Sequence, residues 1–532
     1  MGAILSSLRT IYLGIRVLLA DFAEANADFN ALLGRISAPI HPSKNPSTSF
    51  WQQHPPFPEL VDIQSPTLPD RANIVIIGSG ISGASIAYTL LTQSDSAEPK
   101  DGLKIVLLEA RELCSGATGR NGGHIKCASY SDYALFKRRF GRERAKKLLE
   151  FERKALPLLV GFAQENGFKA AEAREVETLD VITDAGMWDK TKNMVQELKE
   201  DVPEAGDEVE LFEADEGCEK FELNREHCYG VVKYPAGALW PYRFVTSLYA
   251  RLLSEFSSRF FIETGTPVMG IETQDDEMPF VVSTPRGKIT ASHVMHATDA
   301  FVANLVPGTT GKLFPMRGHM TAQIPGTGLS HLDGSRSWSI IGRRGFDYIT
   351  QRPGDSGELM VGGGVVQSPG KGIDEFGIWR DDQMSGPISA YLEGIMPVIF
   401  GRERWGEDKP GTRIKSAWVG CMGFTCDLLP LVGKLEPELT GRVVTSRRNK
   451  RVGRFNVPPA EWISAGFNGE GMVLAWLCGV AVGLMALGLD EMDNEGCVGI
   501  PPGKVKDWLP DNFICSKRRV DRLDVTELGL LM

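Results

Sequence analysis

The alternation of apolar and polar segments predicts regular structure from about Ala72 onward. Asn73–Ile77 is a short apolar strand, a helical pattern follows from about Ser82, and Lys104–Leu108 reads as a second apolar strand. Short apolar strands that alternate with helices are typical of mixed α/β proteins. Later segments with strand patterns are HMTAQIP, FDYITQRP and ELMVGGG. The chain is therefore expected to be an α/β protein without internal repeats.

The N-terminal region has a different pattern. Residues 1–35 read as an amphipathic helix, with apolar positions at Ile4, Leu8, Ile11, Ile15 and Leu18. The first residues also fit the myristoylation pattern, with Gly2 followed by Ser6. One acyl chain binds membranes only marginally, and an amphipathic helix could supply the second signal. Peripheral membrane contact is one interpretation, and a helix docked on the protein body is the other.

Two further segments affect the organisation of the chain. Residues 36–70 are rich in proline and polar residues, which predicts an extended linker or wrapping arm. Gly471 to Leu489 is a long uncharged run whose length would suit a membrane span. This run contains glycines and follows a glycine-rich motif, so we expect a buried helix instead.

Composition narrows the function classes. The chain has 532 residues, 42% hydrophobic and 24% charged, with a net charge of −10. This balance gives no broad basic surface for nucleic acid. The two basic stretches, Phe136–Lys147 and Arg447–Arg454, read as solvated surface. The nine cysteines lack metal-ligand spacing and a disulfide framework, so neither a metal site nor secretion is expected. A reducing, cytoplasmic location is the simplest interpretation.

The strongest motif joins the first strand to the first helix. Gly78, Gly80 and Gly83 form G-x-G-x-x-G, in which the glycines allow a tight turn, a close approach to pyrophosphate and close helix packing. Ser82 lies at the helix start, whose free amides favour phosphate. Glu109 ends the second strand, where a carboxylate can bind ribose hydroxyls and disfavours NADP. The spacing predicts a dinucleotide site but does not separate FAD from NAD.

The segment after Glu109 carries a family resemblance. LEARELCSGATGRNGGH resembles the flavin-proximal motif of the D-amino-acid oxidase family, which includes glycine and sarcosine oxidases, in the form typical of its large fungal and bacterial branch. Three further segments resemble family motifs in the same order: MHATDAF (Met295–Phe301), CDLLPLVG (Cys426–Gly433) and AGFNGEGM (Ala465–Met472). The resemblance covers about residues 70–500 and implies FAD as the cofactor.

The family fold implies a discontinuous, Rossmann-like FAD-binding domain and a mixed-sheet α+β substrate domain. The expected boundaries are 71–160, 240–315 and 410–500 for the FAD-binding domain, 161–239 and 316–409 for the substrate domain, 1–70 for the N-terminal helix and arm, and 501–532 for a C-terminal tail. The residues expected to contact FAD are Gly78, Gly80, Ser82, Gly83, Glu109, Ala110, Arg111, Thr118, Gly119, Asn121, Gly122, Gly123, Cys421, Gly466, Gly469, Gly471 and Met472.

The resemblance also implies a reaction. In this family a neutral amine or amino acid gives a hydride to the flavin, and the resulting imine is hydrolysed; oxygen or another acceptor then takes the electrons. The candidates for facing the substrate are Arg120, His124, Arg317 and Tyr348, with His319 beside them. An arginine could clamp a carboxylate and Tyr348 could add a hydroxyl. The alternative is that these arginines and histidines are structural.

Several positions depart from the sarcosine-oxidase branch. Val473 stands where that branch has a substrate-binding lysine, Met360 where it has an oxygen-activating lysine, and Glu470 where histidine is frequent. A dehydrogenase that uses another electron acceptor is therefore an alternative to an oxidase. Cys421 lies in a setting similar to that of the covalent flavin cysteine of monomeric sarcosine oxidases, which suggests a covalent link; a small buried thiol is the alternative.

Two rival functions stay open from the sequence. A flavin monooxygenase acting on a non-amine metabolite would share the fingerprint and the acid, although CDLLPLVG and GFNGEGM differ from the motifs usual there. A non-catalytic flavin-fold protein at a membrane would use the N-terminal helix, although the intact glycines argue for retained cofactor binding.

Overall fold

The computed structural model describes residues 25–94, 102–343, 345–444 and 457–530. The myristoylation pattern at Gly2 and Ser6, most of the predicted N-terminal helix, and the basic segment Arg447–Arg454 lie wholly or largely outside these residues. Residues 25–36 are helical, which agrees with the end of the predicted N-terminal helix.

The regular elements alternate along the chain, as the apolar pattern predicts. The strands are β1 (Arg71–Ile77), β2 (Ile105–Leu108), β3 (His124–Ile125), β4 (Arg174–Ile182), β5 (Glu210–Glu213), β6 (Gly230–Ala238), β7 (Phe260–Glu263), β8 (Gly270–Thr273), β9 (Phe280–Thr284), β10 (Gly287–His296), β11 (Leu313–Gln323), β12 (Arg336–Gly342), β13 (Gly345–Gln351), β14 (Leu359–Gly362), β15 (Ile414–Thr425), β16 (Leu431–Lys434) and β17 (Ala460–Ala465). The longer helices are α1 (Ile81–Gln93), α2 (Ser129–Phe140), α3 (Arg142–Arg153), α4 (Ala155–Glu165), α5 (Ala185–Asp201), α6 (Ala214–Lys220), α7 (Pro241–Glu255), α8 (Gly386–Phe400), α9 (Gly471–Leu487) and α10 (Lys517–Arg522). Single helical turns lie at Pro203–Gly206, Arg402–Trp405, Pro437–Thr440 and Val505–Trp508.

The first sheet has eight strands and contains the predicted dinucleotide fingerprint. Its order is β16-β17-β10-β1-β2-β7, and β9 joins β10 and pairs in turn with β8. The strands from β17 to β7 are parallel, with Ile77 opposite His296 on one side and Leu108 on the other. Since the carboxyl ends of parallel strands meet at one edge, Gly78 and Glu109 emerge side by side.

Both faces of this sheet are buried, which explains the continuous apolar runs in the sequence. Successive residues of β1 enter different core clusters, Ile74 and Ile76 on one face and Val75 and Ile77 on the other. The residues of β2 alternate in the same way. A parallel sheet covered on both faces requires apolar residues at every position, not only at alternate ones.

The second sheet has nine strands in the order β15-β11-β14-β13-β12-β4-β6-β3, with β5 added beside β6. All its pairs are antiparallel except β12 with β4. The segments HMTAQIP, FDYITQRP and ELMVGGG fall on β11, β13 and β14, as predicted. The mixed α/β class is therefore confirmed.

The uncharged run after the C-terminal glycine motif forms the buried helix α9, as expected. α9 packs against α1 through two glycines: a Cβ on Gly479 would lie 1.9 Å from Ser85 Oγ, and one on Gly483 would lie 2.8 Å from Thr89 Cβ. These glycines bring the two helices into contact that no larger residue allows. Among the residues that the structure describes, none of the helices is both long and apolar enough to span a membrane.

The division into two domains stays a prediction, because two strands complicate its boundaries. β3 and β15 lie in ranges expected for the FAD-binding domain, yet both pair in the second sheet. The arm over residues 36–70 contains two short 3-10 turns, Phe50–Gln52 and Pro58–Leu60, and is otherwise extended or irregular.

Candidate active site

The glycine fingerprint forms a narrow turn between β1 and α1. Gly78 has φ +109°, and a Cβ there would lie 2.3 Å from the carbonyl oxygen of Ala297. A Cβ on Gly83 would lie 2.0 Å from the carbonyl oxygen of Gly78. Gly80 precedes the first residue of α1. The turn therefore has the tight geometry that a pyrophosphate cradle requires at a helix N-terminus.

Glu109 lies at the mouth of this turn. Its carboxylate accepts hydrogen bonds from the Ser79 amide (3.1 Å) and hydroxyl (2.6 Å), and from the Arg111 amide at 3.0 Å. The side chain is only partly buried. The carboxylate is thus held beside the fingerprint in the position expected for a ribose-binding acid.

Three of the four family motifs contact this turn or one another. The Thr118 hydroxyl accepts a hydrogen bond from the Ile81 amide at 3.0 Å, which joins the flavin-proximal motif to α1. Asp299, in the motif Met295–Phe301, accepts hydrogen bonds from the amides of Gly423 (2.7 Å) and Gly466 (2.8 Å). Segments far apart in sequence therefore enclose one region of the molecule.

Backbone carbonyls of the flavin-proximal turn, Thr118–Gly123, are each held by a different group. The donors are the Asn121 amide side chain for Thr118, Ser49 Oγ for Gly119, Trp418 Nε1 for Arg120, Trp51 Nε1 for Asn121, Thr350 Oγ1 for Gly122 and the Leu239 amide for Gly123. A turn with this many fixed peptide planes is rigid, which is what the placement of a planar ring demands.

Tyr348 lies directly against this turn. A Cβ on Gly122 would approach the Tyr348 ring to 2.6 Å, and one on Gly362 would approach it to 2.3 Å. The Tyr348 hydroxyl is 3.2 Å from the sulfur of Met320. Burial raises the pKa of Tyr348, so its hydroxyl stays protonated at neutral pH. Of the four catalytic candidates, Tyr348 has the geometry best suited to face a substrate.

The two candidate arginines are both paired with acids. Arg120 is 3% exposed, with Nε 3.6 Å from Asp381, 2.8 Å from the Ser115 carbonyl, and Nη1 2.9 Å from the Val419 carbonyl. Arg317 makes a bidentate pair with Glu375 at 2.7 and 3.0 Å. These contacts match the structural alternative for both residues rather than a free carboxylate clamp.

The two histidines are held by neighbouring groups. His124 Nε2 lies 2.9 Å from Ser337 Oγ, and burial with the nearby Lys126 charge lowers its pKa well below the usual range. His319 accepts a hydrogen bond from the Ser385 amide at 3.0 Å, and burial lowers its pKa to about 3. Both are therefore neutral at physiological pH, and neither is suited to binding an anion through charge.

The other predicted cofactor contacts fall around the same region with varied roles. Arg111 pairs with Asp381 at 2.9 Å, and Ser82 Oγ bonds to Ser464 Oγ at 2.8 Å, which links α1 to β17. Ala110 is partly buried beside Glu109, and Met472 is buried at the start of α9. Gly466 and Gly469 have φ of +80° and +87°, and Gly471 begins α9. Cys421 is buried on β15, opposite Arg317.

A polar cluster that the sequence did not reveal lies beside the C-terminal glycine motif. Lys126 Nζ contacts Asp180 at 2.6 Å, and Asp180 also accepts hydrogen bonds from the hydroxyls of Tyr130 and Tyr234. The only sequence signal was the position of Lys126, two residues after His124. Because its members come from α2, β4, β6 and the residue that follows β3, sequence spacing could not have assembled them.

Three further groups lie near this cluster. Ligand atoms of Cys127, Asp132 and Glu152 lie within 4.8 Å of one another, so the absence of a metal site stays a prediction. Burial and the neighbouring Glu470 raise the pKa of Asp132 to about 8. A cavity of about 260 Å³ touches Cys127, Glu152 and Val473.

Glu470, at the residue before α9, completes this side of the site. More than a third of the residue is solvent-accessible, yet the surrounding protein atoms raise the pKa of its carboxyl to about 7. Tyr348 and Asp132 both lie within electrostatic range of Glu470.

Comparison with known proteins agrees with this architecture. The family model of the DAO group, described as FAD dependent oxidoreductase, matches residues 73–483. The chain belongs to this family and is an FAD-dependent oxidoreductase. Among curated proteins, the probable oxidoreductase OrdL of Rhizobium meliloti is 23% identical over 472 residues, covering 87% of this chain and 93% of that protein.

Solved structures share the fold at low sequence identity. Glycine oxidase from Geobacillus kaustophilus superposes with a TM-score of 0.56 at 17% identity, over 79% of this chain and 95% of that one. L-Proline dehydrogenase from P. horikoshii gives 0.56 at 20% identity, over 84% and 98%. L-Amino acid deaminase from Proteus vulgaris gives 0.56 at 16% identity, over 88% and 99%. The fold is therefore a Rossmann-like FAD-binding unit with an associated substrate sheet.

FAD fits the residues that the chain presents. A Cβ on Gly78 would lie 2.3 Å from the Ala297 carbonyl oxygen and one on Gly80 would lie 3.0 Å from Thr118 Oγ1, so the cradle favours glycine. Glu109 lies beside it, where its carboxylate could bind a ribose. In the flavin-proximal turn, a Cβ on Gly119 would lie 2.3 Å from the Cys114 carbonyl oxygen and one on Gly123 would lie 2.2 Å from the Leu239 carbonyl oxygen, so close packing of the turn requires glycine there. Together with the family assignment, these observations identify FAD as the cofactor.

Proposed function

We propose that the chain oxidises a small amine or amino acid to an imine by hydride transfer to FAD. When bound, FAD supplies the redox chemistry by accepting the hydride. The protein must orient the substrate and receive its ammonium proton. The observation that carries the proposal is the fixed flavin-proximal turn packed against Tyr348, whose pKa is raised by burial and by the charge of the nearby Glu470.

Within this proposal, we favour an amine without an α-carboxylate. Arg120 and Arg317 are already neutralised by Asp381 and Glu375, and Val473 is buried and apolar. A substrate carboxylate beside Tyr348 would be repelled by the charge of Glu470, whereas an ammonium group would be attracted to it. Amino acids therefore form the less favoured part of the proposed substrate class.

Glu470 is the proposed acceptor of the substrate proton. A carboxyl with a pKa of about 7 is close to neutral pH, where a general base combines availability with driving force. Tyr348, which stays protonated, would donate a hydrogen bond and orient the substrate. The acceptor of the electrons is oxygen or another oxidant.

The test of the reaction is anaerobic mixing of the holoenzyme with a panel of amines, N-methyl amino acids and D-amino acids. We expect amines to bleach the visible absorption of the bound flavin faster than the corresponding α-carboxylated compounds. Bleaching without oxygen makes the result independent of the electron acceptor. If no amine or amino acid bleaches the flavin, the proposed function is wrong.

The proton role has a separate test. Glu470→Gln should shift or abolish the acidic limb of the pH profile of anaerobic flavin reduction, since the amide cannot take a proton. Glu438→Gln, which changes an exposed carboxylate on a surface turn, is the matched control and should keep the wild-type profile. An unchanged profile in Glu470→Gln would exclude Glu470 as the base.

A cytoplasmic location with peripheral membrane contact through residues 1–35 is a separate proposal. It is supported only by the apolar spacing and the Gly2 pattern. Co-sedimentation of the N-myristoylated chain with anionic vesicles tests it, with Gly2→Ala as the control. Equal recovery of both proteins in the supernatant would count against membrane attachment.

A further inference from the structure

The extended arm passes directly behind the flavin-proximal turn. Ser49 Oγ donates a hydrogen bond to the Gly119 carbonyl at 2.7 Å, and the Trp51 indole N–H donates to the Asn121 carbonyl. Ser47 Oγ receives an N–H from Arg120 at 3.3 Å and one from Val419 at 3.0 Å. The arm therefore contacts three consecutive residues of the turn, Gly119, Arg120 and Asn121.

These bonds fix the direction of two peptide planes. In a planar trans peptide the N–H points opposite to the carbonyl of the preceding residue. Because the Asn121 carbonyl points to Trp51, the Gly122 N–H points away from the arm. The Gly122 carbonyl in turn accepts a hydrogen bond from Thr350 Oγ1 of β13 at 2.9 Å, so the next peptide plane is held by the second sheet.

The two donors are themselves held firmly. Ser49 is fully buried and Trp51 is 2% exposed. The Trp240 indole N–H donates to the Trp51 carbonyl at 2.7 Å, and the Trp51 and Trp240 rings pack edge to face with centroids 5.2 Å apart. Buried donors on a fixed scaffold can impose an orientation on their acceptors, which a mobile surface segment could not do.

We propose that Ser49 and Trp51 are positioning residues for FAD, and that the arm forms the back wall of the cofactor site. Their hydroxyl and indole groups hold the Gly119 and Asn121 carbonyls away from the flavin, which leaves the opposite side of the turn to face it. The arm lies outside residues 73–483, the range matched by the family model. The chain therefore builds part of its cofactor site from residues that precede the range matched by the family model.

The test compares variants that delete one hydrogen bond each. Trp51→Phe removes the indole N–H and keeps a ring, and Ser49→Ala removes the hydroxyl. Trp188→Phe is the control, because it removes a part-buried indole N–H bond from helix α5 to Glu213 on β5 (3.0 Å) that involves neither the arm nor the turn. Asn121→Ala serves as the reference for the turn itself.

The main measurement is the dissociation constant for FAD, obtained by titrating apoprotein and following quenching of flavin fluorescence. We expect Trp51→Phe and Ser49→Ala to raise it about tenfold each, as for the loss of one buried hydrogen bond. The visible absorption bands of the bound flavin should shift as well. Trp188→Phe should match the wild type in both measurements.

These measurements test the positioning role of the arm separately from the location of the FAD site. If Asn121→Ala weakens FAD binding but both arm variants bind FAD with wild-type affinity and spectrum, the positioning role is wrong while the site stands. If Asn121→Ala also has no effect, the assignment of FAD to this turn fails. Should Trp51→Phe not fold, as judged by circular dichroism, Ser49→Ala decides by the same criteria.

Discussion

Gly83 offers the sharpest test of how the fingerprint is built. A Cβ at this position would lie 2.0 Å from the carbonyl oxygen of Gly78. Carbon and oxygen atoms in contact normally stay about 3.3–3.6 Å apart, so an added methyl must open the gap by more than about 1 Å. The oxygen belongs to the backbone of the same turn and cannot rotate away.

The magnitude follows from two opposing terms. Overpacking of a tight core contact costs about 1–3 kcal/mol, and the severe overlap places Gly83→Ala at the upper end. Replacing glycine by alanine inside a helix recovers about 1 kcal/mol. We therefore expect a net loss of about 2 kcal/mol. Displacing the α1 N-terminus from the phosphates should also weaken FAD binding at least tenfold.

The assay combines thermal unfolding of the apoprotein with fluorescence titration of FAD. Gly161→Ala is the matched control, since Gly161 lies inside helix α4 with no atom within 4 Å of its added Cβ. That variant should gain about 0.5–1 kcal/mol from helix propensity and bind FAD normally. If Gly83→Ala instead behaves like Gly161→Ala, the close packing of α1 on the turn is not what makes glycine necessary there.

Three further predictions concern ionisable groups in the protein interior. Asp132→Asn should raise the unfolding temperature at about pH 8 but not at about pH 4. The raised pKa of about 8 keeps a proton on Asp132 in the folded chain, whereas the unfolded chain loses it above the ordinary pKa, so the wild type loses stability as pH rises between these values. An equal gain at both pH values would contradict this. Asp381→Asn should lower the free energy of unfolding, measured by chemical denaturation, by about 3 kcal/mol, because it leaves Arg111 and Arg120 without a counter-charge. Asp382→Asn, at the neighbouring and more exposed position, should stay close to wild type. Equal effects of the two variants would argue against the buried pairing. Burial raises the pKa of the Cys421 thiol and so disfavours the reactive thiolate; acid precipitation should therefore leave a colourless pellet, and a yellow pellet that Cys421→Ser abolishes would show a covalent flavin instead.

Much of the candidate site was accessible from the sequence because its motifs are local. The fingerprint glycines, Glu109 and the strands on either side depend on contacts within a few residues or between adjacent parallel strands. Tyr348 was also predicted, from its place in a strand pattern. These features follow from backbone geometry and hydrophobic periodicity, which a single chain displays directly.

The sequence failed where a side chain's role depends on its partner. Arg120 and Arg317 have the chemistry of a carboxylate clamp, and only the fold shows that Asp381 and Glu375 already occupy them. The cluster around Lys126 and Asp180 joins residues 54 positions apart, for which no local pattern exists. Charge pairing is set by distance in space, so spacing along the chain carries little information about it.

The sequence by itself determined an α/β flavoprotein with ordered glycine motifs, because turns, strands and helix starts are encoded by neighbouring residues. Only the tertiary structure decided that the proline-rich arm, which the sequence reads as a linker or a wrapping arm, places Ser49 and Trp51 behind the flavin-proximal turn. The same holds for the proximity of Glu470 to Tyr348. Both depend on long-range packing, in which the whole chain fixes where each polar group finds its partner.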